Sequence, residues 1–153
     1  MNILIMNGPN LNMLGIREPG IYGTDTYDGL VRMLTQKAEE LGVSLEFFQS
    51  NSEGALIDRL HQAYFDRVDG VVINPGAYTH YSYALHDALK ILKMPKIEVH
   101  ISDIHAREDF RKISVTAPAC DAQIAGYGLR GYVMAIEQII EKTKTEETNN
   151  ESV

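Results

Sequence analysis

The chain has 153 residues, 21 acidic and 14 basic, for a formal net charge of −7 at pH 7. At 44% hydrophobic and 23% charged it matches an ordinary globular domain, long enough to bury a core without staples. The acidic balance argues against non-specific nucleic-acid binding, because no basic stretch could neutralise a run of phosphates. Cys120 stands alone, which excludes an intramolecular disulfide and a cysteine-rich metal site. No apolar run approaches the roughly 20 residues that cross a bilayer, so no membrane partner is expected. Met1-Asn2-Ile3-Leu4 lacks the basic start and long apolar stretch of a signal peptide, and a cytoplasmic location is expected.

Apolar runs alternate with amphipathic stretches along the chain. Asn2–Met6 reads as a short buried strand ending in the turn-rich Asn7-Gly8-Pro9-Asn10. From Tyr27 to Leu41, the apolar residues Leu30, Val31, Leu34, Ala38 and Leu41 recur at helical spacing. Capping residues lie in Thr24–Thr26, and Gly42 is the stop. Val43–Phe48 is the second strand. Glu53–Arg67 places Leu56, Ile57, Leu60 and Tyr64 on one face and reads as the second helix. Asp69–Ile73 is the third strand, closed by Asn74-Pro75-Gly76. A third helix carries Leu85, Ala88, Leu89 and Leu92; Pro95 interrupts, and Lys96–Ile101 is the fourth strand. Ala122–Ala125 is a short fifth strand, and Leu129–Lys142 a last helix with Val133, Ile136 and Ile140 inward.

Short, nearly continuous apolar strands separated by helices imply an α/β protein with a parallel sheet covered on both faces. Five strands in this length suit a flavodoxin-like sheet of order 2-1-3-4-5 better than a six-stranded Rossmann sheet. Right-handed crossovers then bring every strand's C-terminal end to one rim. Residues 1–142 are expected to form a single domain. Thr143–Val153 has almost nothing to bury and reads as a frayed, disordered tail.

Ligands of open parallel sheets bind outside the carboxyl ends of the strands. The segments there carry Asn7, Asn10, Arg17, Tyr22, Asn74, His80, His100, Ser102, His105 and Arg107. A structural loop needs no such convergence of arginines, histidines and amides, so a site is expected on this rim. Pro9 removes an amide donor from the first loop, which makes a poor phosphate nest for a flavin. Asn74 and Asn7 stand where a phospho-receiver would carry aspartates. His100 and His105 sit beside Arg107 without an acidic or thiolate cluster, so no metal is expected.

The connection Leu14–Gly23 is long for a strand-to-helix loop and reads either as a functional lid or as a disordered excursion. It carries Arg17 and Tyr22, for which two readings stand side by side. A guanidinium near a phenol favours the phenolate, which would make Tyr22 a base. Alternatively, Arg17 pairs with Glu18 and Tyr22 packs. In the fourth strand, Glu98 and His100 share a face. A carboxylate so placed holds an imidazole's tautomer and favours its charged form, as a general acid requires. The other histidines carry less: His61 reads as solvated, His86 as lying on the outer side of the third helix, and His80 as a donor to a polar ligand. Tyr78, Tyr81 and Tyr83 read as packing residues, and Cys120 as a small buried filler.

Several motifs occur together and in order. They are Asn7-Gly8-Pro9-Asn10-Leu11-Asn12-Met13-Leu14-Gly15, Arg17-Glu18-Pro19, Tyr22-Gly23 and Asn74-Pro75-Gly76-Ala77-Tyr78-Thr79-His80. Glu98-Val99-His100-Ile101-Ser102 follows, then Ala106-Arg107-Glu108, Phe110-Arg111, Gly126-Tyr127-Gly128 and Gly131-Tyr132. This set, over residues 1–141, resembles the type II 3-dehydroquinate dehydratases. The resemblance implies a flavodoxin-like homo-oligomer, a dodecamer of four trimers, that works without a cofactor. It implies reversible dehydration of 3-dehydroquinate to 3-dehydroshikimate, by anti elimination through an enolate, in the shikimate pathway or in quinate catabolism. By the same resemblance Tyr22 is the base at C2, Arg17 lowers its pKa, and Asn10 steadies the enolate with a water. His100 protonates the departing C1 hydroxyl, oriented by Glu98. Asn74, Gly76, Ala77, His80, Ile101, Ser102 and Arg111 are implied substrate contacts, with Arg107 a second arginine beside the lid. Asp87 is implied to reach a neighbouring subunit's site.

Elementary chemistry agrees, since loss of water beta to a ketone needs a base, an acid across the ring and donors for the enolate. The alternative is a catalytically inactive small-molecule-binding domain of the same fold. An imine-forming dehydratase is disfavoured, because Lys96 starts its strand at the wrong end and Lys90 and Lys93 lie on the third helix.

Overall fold

The computed structural model describes residues 1–16 and 25–152. Its elements are β1 (Asn2–Asn7), α1 (Tyr27–Leu41), β2 (Ser44–Gln49), α2 (Glu53–Asp66), β3 (Gly70–Asn74), α3 (Tyr83–Ile91), β4 (Lys96–His100), β5 (Ala122–Ala125) and α4 (Arg130–Glu151), joined in places by short 3₁₀ turns. The strands form one parallel sheet in the order β2-β1-β3-β4-β5, the flavodoxin-like arrangement expected from the sequence.

Alternation along the strands sorts their apolar side chains onto two faces. Ile3, Ile5, Val72, Ile97, Val99 and Ile124 pack with Leu30 and Leu34 of α1 and with Tyr132, Ala135, Ile136 and Ile139 of α4. Leu4, Met6, Val71 and Ile73 pack with Leu56, Leu60 and Ala63 of α2 and with Leu85, Ala88 and Leu89 of α3. Each Val, Leu, Ile or Met among them contributes about 1.5–3 kcal/mol on full burial. Gly70 permits the close seating of α4, since a Cβ there would come within 2.5 Å of the Ile139 side chain.

The helix ends follow local chemistry. The hydroxyls of Thr26, Ser52 and Ser82 accept from the backbone N–H groups of Gly29, Ala55 and Leu85, satisfying donors that a first turn leaves open. Gly42 ends α1 in the left-handed region at φ 72°.

Two expectations change. Asn7 and Asn74 are the last residues of β1 and β3 rather than loop residues. Thr143–Val153 was expected to fray, yet α4 continues as helix to Glu151. A helix can grow by one hydrogen bond per residue without burying anything. The hydroxyls of Thr143, Thr145 and Thr148 also fold back onto carbonyls four residues earlier.

Candidate active site

β1 and β3 lie side by side, and the segments that follow them lead to opposite faces, to α1 and to α3. That divergence opens a crevice at their C-terminal ends, where open α/β sheets place ligands. Asn7 and Asn74 stand in register at its floor. The buried Tyr132 hydroxyl donates to Asn7 Oδ1 at 2.5 Å and accepts from Asn74 Nδ2 at 3.0 Å. Asn74 Oδ1 accepts the Gly76 N–H at 3.1 Å, so its amide shapes the following turn. Gly8 crosses so close to this turn that a Cβ would lie 2.4 Å from the Pro75 carbonyl oxygen.

Asn10 adopts the left-handed region at φ 70°, which asparagine tolerates better than most residues. Its N–H donates to Asn51 Oδ1 at 3.0 Å. Gln49 Nε2 donates to the Gly8 carbonyl of the same loop at 3.1 Å and to Asn51 Oδ1, just after β2, at 3.2 Å.

A cleft of about 170 Å³ opens above. The loop after β1 lends it Asn10, the end of β3 lends Asn74, the turn that follows lends Gly76, Ala77 and His80, and the end of β4 and the residues after it lend His100, Ile101 and Ser102. Arg107 and Arg111 close one side. No hydrogen bond joins the Ile101 or Ser102 amide to another described residue, which leaves two N–H donors at the strand end. Arg111 Nε pairs with Glu108 Oε2 at 2.6 Å, and its guanidinium carbon lies 4.7 Å from the Phe110 ring centroid.

His100 Nε2 lies 2.9 Å from Glu98 Oε2, and both side chains are buried. Burial pushes the Glu98 carboxyl up, but the His100 hydrogen bond and charge outweigh it, with donors on Thr116 and Gln123, and hold it at about 2. Glu98 is therefore an anion, and an anion accepts. His100 thus donates from Nε2, while Nδ1 makes no hydrogen bond among the described residues.

His80 behaves differently from the donor expected. Its Nδ1 donates to the Ile113 carbonyl at 2.8 Å. Partial burial holds the imidazole below its usual range, against the Ile113 bond, and the charges of His100 and Arg111 add to the lowering. The neutral ring has spent its N–H on a carbonyl, so Nε2 is an acceptor.

The structure thus gathers Asn10, Asn74, Gly76, Ala77, His80, His100, Ile101, Ser102, Arg107 and Arg111 in one cleft, with Glu98 behind His100. Asp87 is exposed on α3 and does not line it. His105 is exposed and faces a different groove, with Gln123 and Tyr127. Arg17 and Tyr22 lie outside the described residues. His86 is not on an outer surface; it is half-buried, with Nδ1 2.8 Å from the Val115 carbonyl oxygen. Tyr78 packs on the core as expected and donates its hydroxyl to the Asn51 carbonyl; Tyr81 is exposed but sets its ring edge-on to Tyr78 at 5.8 Å, and Tyr83 is exposed.

Sequence reasoning passed over Thr79, Ser114, Thr116 and Gln123, all of which contact Glu98. Two signals were present: Thr79 sits inside a recognised motif, and Ser114 and Thr116 are spaced to share a face. Gln123 carried none until β4 and β5 were paired.

A family model described as class II dehydroquinase matches residues 1–140. A protein of Caldicellulosiruptor bescii named 3-dehydroquinate dehydratase is 59% identical over 134 residues, 88% of this chain and 92% of its own length. The protein of that name from Thermotoga maritima is 56% identical over 147 residues, 96% of this chain and 99% of its own. Among solved structures, the type II dehydroquinase of Butyrivibrio crossotus superposes with a TM-score of 0.90 at 56% identity, covering 91% of this chain and 97% of that one. The type II dehydroquinase of Propionibacterium acnes gives 0.88 at 49%, covering 90% and 94%.

Proposed function

This chain belongs to the class II dehydroquinase family, and from that premise we propose that it dehydrates 3-dehydroquinate to 3-dehydroshikimate, reversibly. The observation that carries the reading is the buried His100–Glu98 pair at the cleft wall, an imidazole held by a fixed carboxylate beside two backbone amides that no other described residue engages.

The chemistry assigns a task to each group. Tyr22, as phenolate beside the Arg17 guanidinium, removes the C2 proton. The electron pair moves onto the ketone oxygen, and Asn10 holds the resulting enolate through a water. The enolate then collapses anti to the first step. The C1–oxygen bond breaks, and His100 delivers a proton from Nδ1 so that water leaves. Nδ1 is the nitrogen for this task because Nε2 is committed to Glu98. The Ile101 and Ser102 amides suit the substrate carboxylate, and His80 Nε2 suits a ring hydroxyl as its acceptor. Arg107 and Arg111 add positive charge around an anionic substrate.

The protein serves the shikimate pathway or quinate breakdown, in the cytoplasm, as a homo-oligomer built up to a dodecamer of four trimers. Asp87, standing away from its own cleft, supplies a neighbouring site. Incubation with 3-dehydroquinate should produce the ultraviolet absorbance of the conjugated enone 3-dehydroshikimate; no absorbance change would refute the activity. Light scattering should return twelve times the 17.1 kDa chain mass, and an active monomer would refute the assembly.

A further inference from the structure

Glu98 sits in a collar of donors drawn from separate parts of the chain. Thr79 belongs to the turn after β3, Ser114 and Thr116 to the segment before β5, and Gln123 to β5, directly in register with Glu98. Oε2 lies 2.8 Å from Ser114 Oγ, 2.8 Å from Gln123 Nε2 and 2.9 Å from His100 Nε2. Oε1 accepts from the Thr116 hydroxyl and lies 3.1 Å from Thr79 Oγ1. A carboxylate has about four lone-pair sites, so these neighbours saturate it. Thr79 Oγ1 is also 2.6 Å from Thr116 Oγ1 and 2.7 Å from Ser114 Oγ, which joins the hydroxyls to one another. The Ala117 N–H donates to Ser114 Oγ at 3.0 Å and ties the cluster to the backbone. None of these four side chains lines the substrate cleft.

We propose that Thr116, Ser114 and Gln123 are positioning residues of the acid step, keeping Glu98 ionised and aimed so that His100 presents Nδ1 to the leaving hydroxyl. The inference rests on His100 being the acid. Burial without donors would neutralise Glu98. A neutral Glu98 would bring its own proton into a shell of donors and would compete with the His100 N–H that it otherwise accepts. The other titratable groups around it do not replace the collar. His80 lies near enough to feel the Glu98 charge, with Arg111 beyond it. Cys120, before β5, is pushed up to about 12 by burial and stays neutral, and Lys96 lies at the opposite end of β4. His86 of α3 is engaged with the Val115 carbonyl.

The test is the pH dependence of kcat and KM for 3-dehydroquinate, on the full-length protein in its native assembly. Thr116→Val removes the hydroxyl at constant shape, Gln123→Met removes an amide on the edge strand, Thr116→Ser keeps the donor, and His100→Ala removes the acid. Each loss of a charged hydrogen bond should move the acid limb of kcat up by about one pH unit. On that limb kcat should fall about tenfold at a given pH while KM stays near the wild-type value. Thr116→Ser should restore the wild-type limb, which a purely structural defect would not predict. Gln123→Met, at the sheet edge, decides the matter if Thr116→Val does not fold. An unmoved limb in the folded donor-deleted variants, with His100→Ala inactive, overturns this inference alone. Full dehydration by His100→Ala overturns the acid assignment beneath it.

Discussion

The hydroxyl of Tyr132, on the last helix, accepts a hydrogen bond from the side-chain nitrogen of Asn74, at the end of a central strand, at 3.0 Å. Tyr132 is fully buried, and burial pushes its phenol above the usual range, so it remains a neutral donor to Asn7. One phenol from the final helix therefore stitches together the two strand ends that floor the cleft. Tyr132→Phe keeps the ring and strips two amides of a partner. It should lower stability by about 1–3 kcal/mol, read as a lower urea midpoint at unchanged slope. A wild-type midpoint would mean that the two asparagines re-pair without cost.

The acid and base assignments separate in isotope exchange. His100→Ala should lose dehydration by about 10²–10⁴-fold, yet still exchange the substrate C2 proton in deuterated water, because the proposed base, Tyr22, would form the enolate without it. Tyr22→Phe should lose both. NMR of the substrate follows both activities, and a Tyr22→Phe enzyme that still exchanges would remove tyrosine from the base role.

Acid stability should report Glu98. Its carboxyl sits at about 2 in the folded protein against an ordinary 4.5. A lowered carboxyl binds its proton more readily when unfolded, so its contribution is complete above the unfolded value and declines as pH falls. Wild-type stability should therefore drop between pH 4.5 and about 2 more steeply than that of Glu98→Gln. Parallel curves from urea titrations across that range would contradict the assignment.

Cys120 should be chemically quiet. Burial first, and then the Glu98 charge, raises its thiol to about 12, and a thiol rather than a thiolate reacts poorly with disulfide reagents. Labelling by a chromogenic disulfide should be slow in the native protein and fast in urea. Rapid native labelling would show that the segment before β5 opens readily.

Much of this protein was legible in one dimension. Thr26, Gly42 and the spacing of Leu30, Leu34 and Ala38 mark α1 because caps and helical periodicity act within a few residues. The parity of Glu98 and His100 follows from the two-residue repeat of a strand, and the loops after β1, β3 and β4 announce a site by their side chains. That the Thr79, Ser114, Thr116 and Gln123 side chains meet at Glu98 was not legible, least of all for Gln123, nor were the Tyr132 link and the acceptor role of His80. Thr79, Thr116 and Gln123 reach one carboxylate from positions up to 44 residues apart along the chain, and Tyr132 meets Asn7 across 125. Local propensity decides which segments become strands and helices, but a buried polar group takes whatever partners the packed sheet brings to it. Register between β4 and β5, and the seating of α4 on Gly70, settled those partners, and only the tertiary structure contains either.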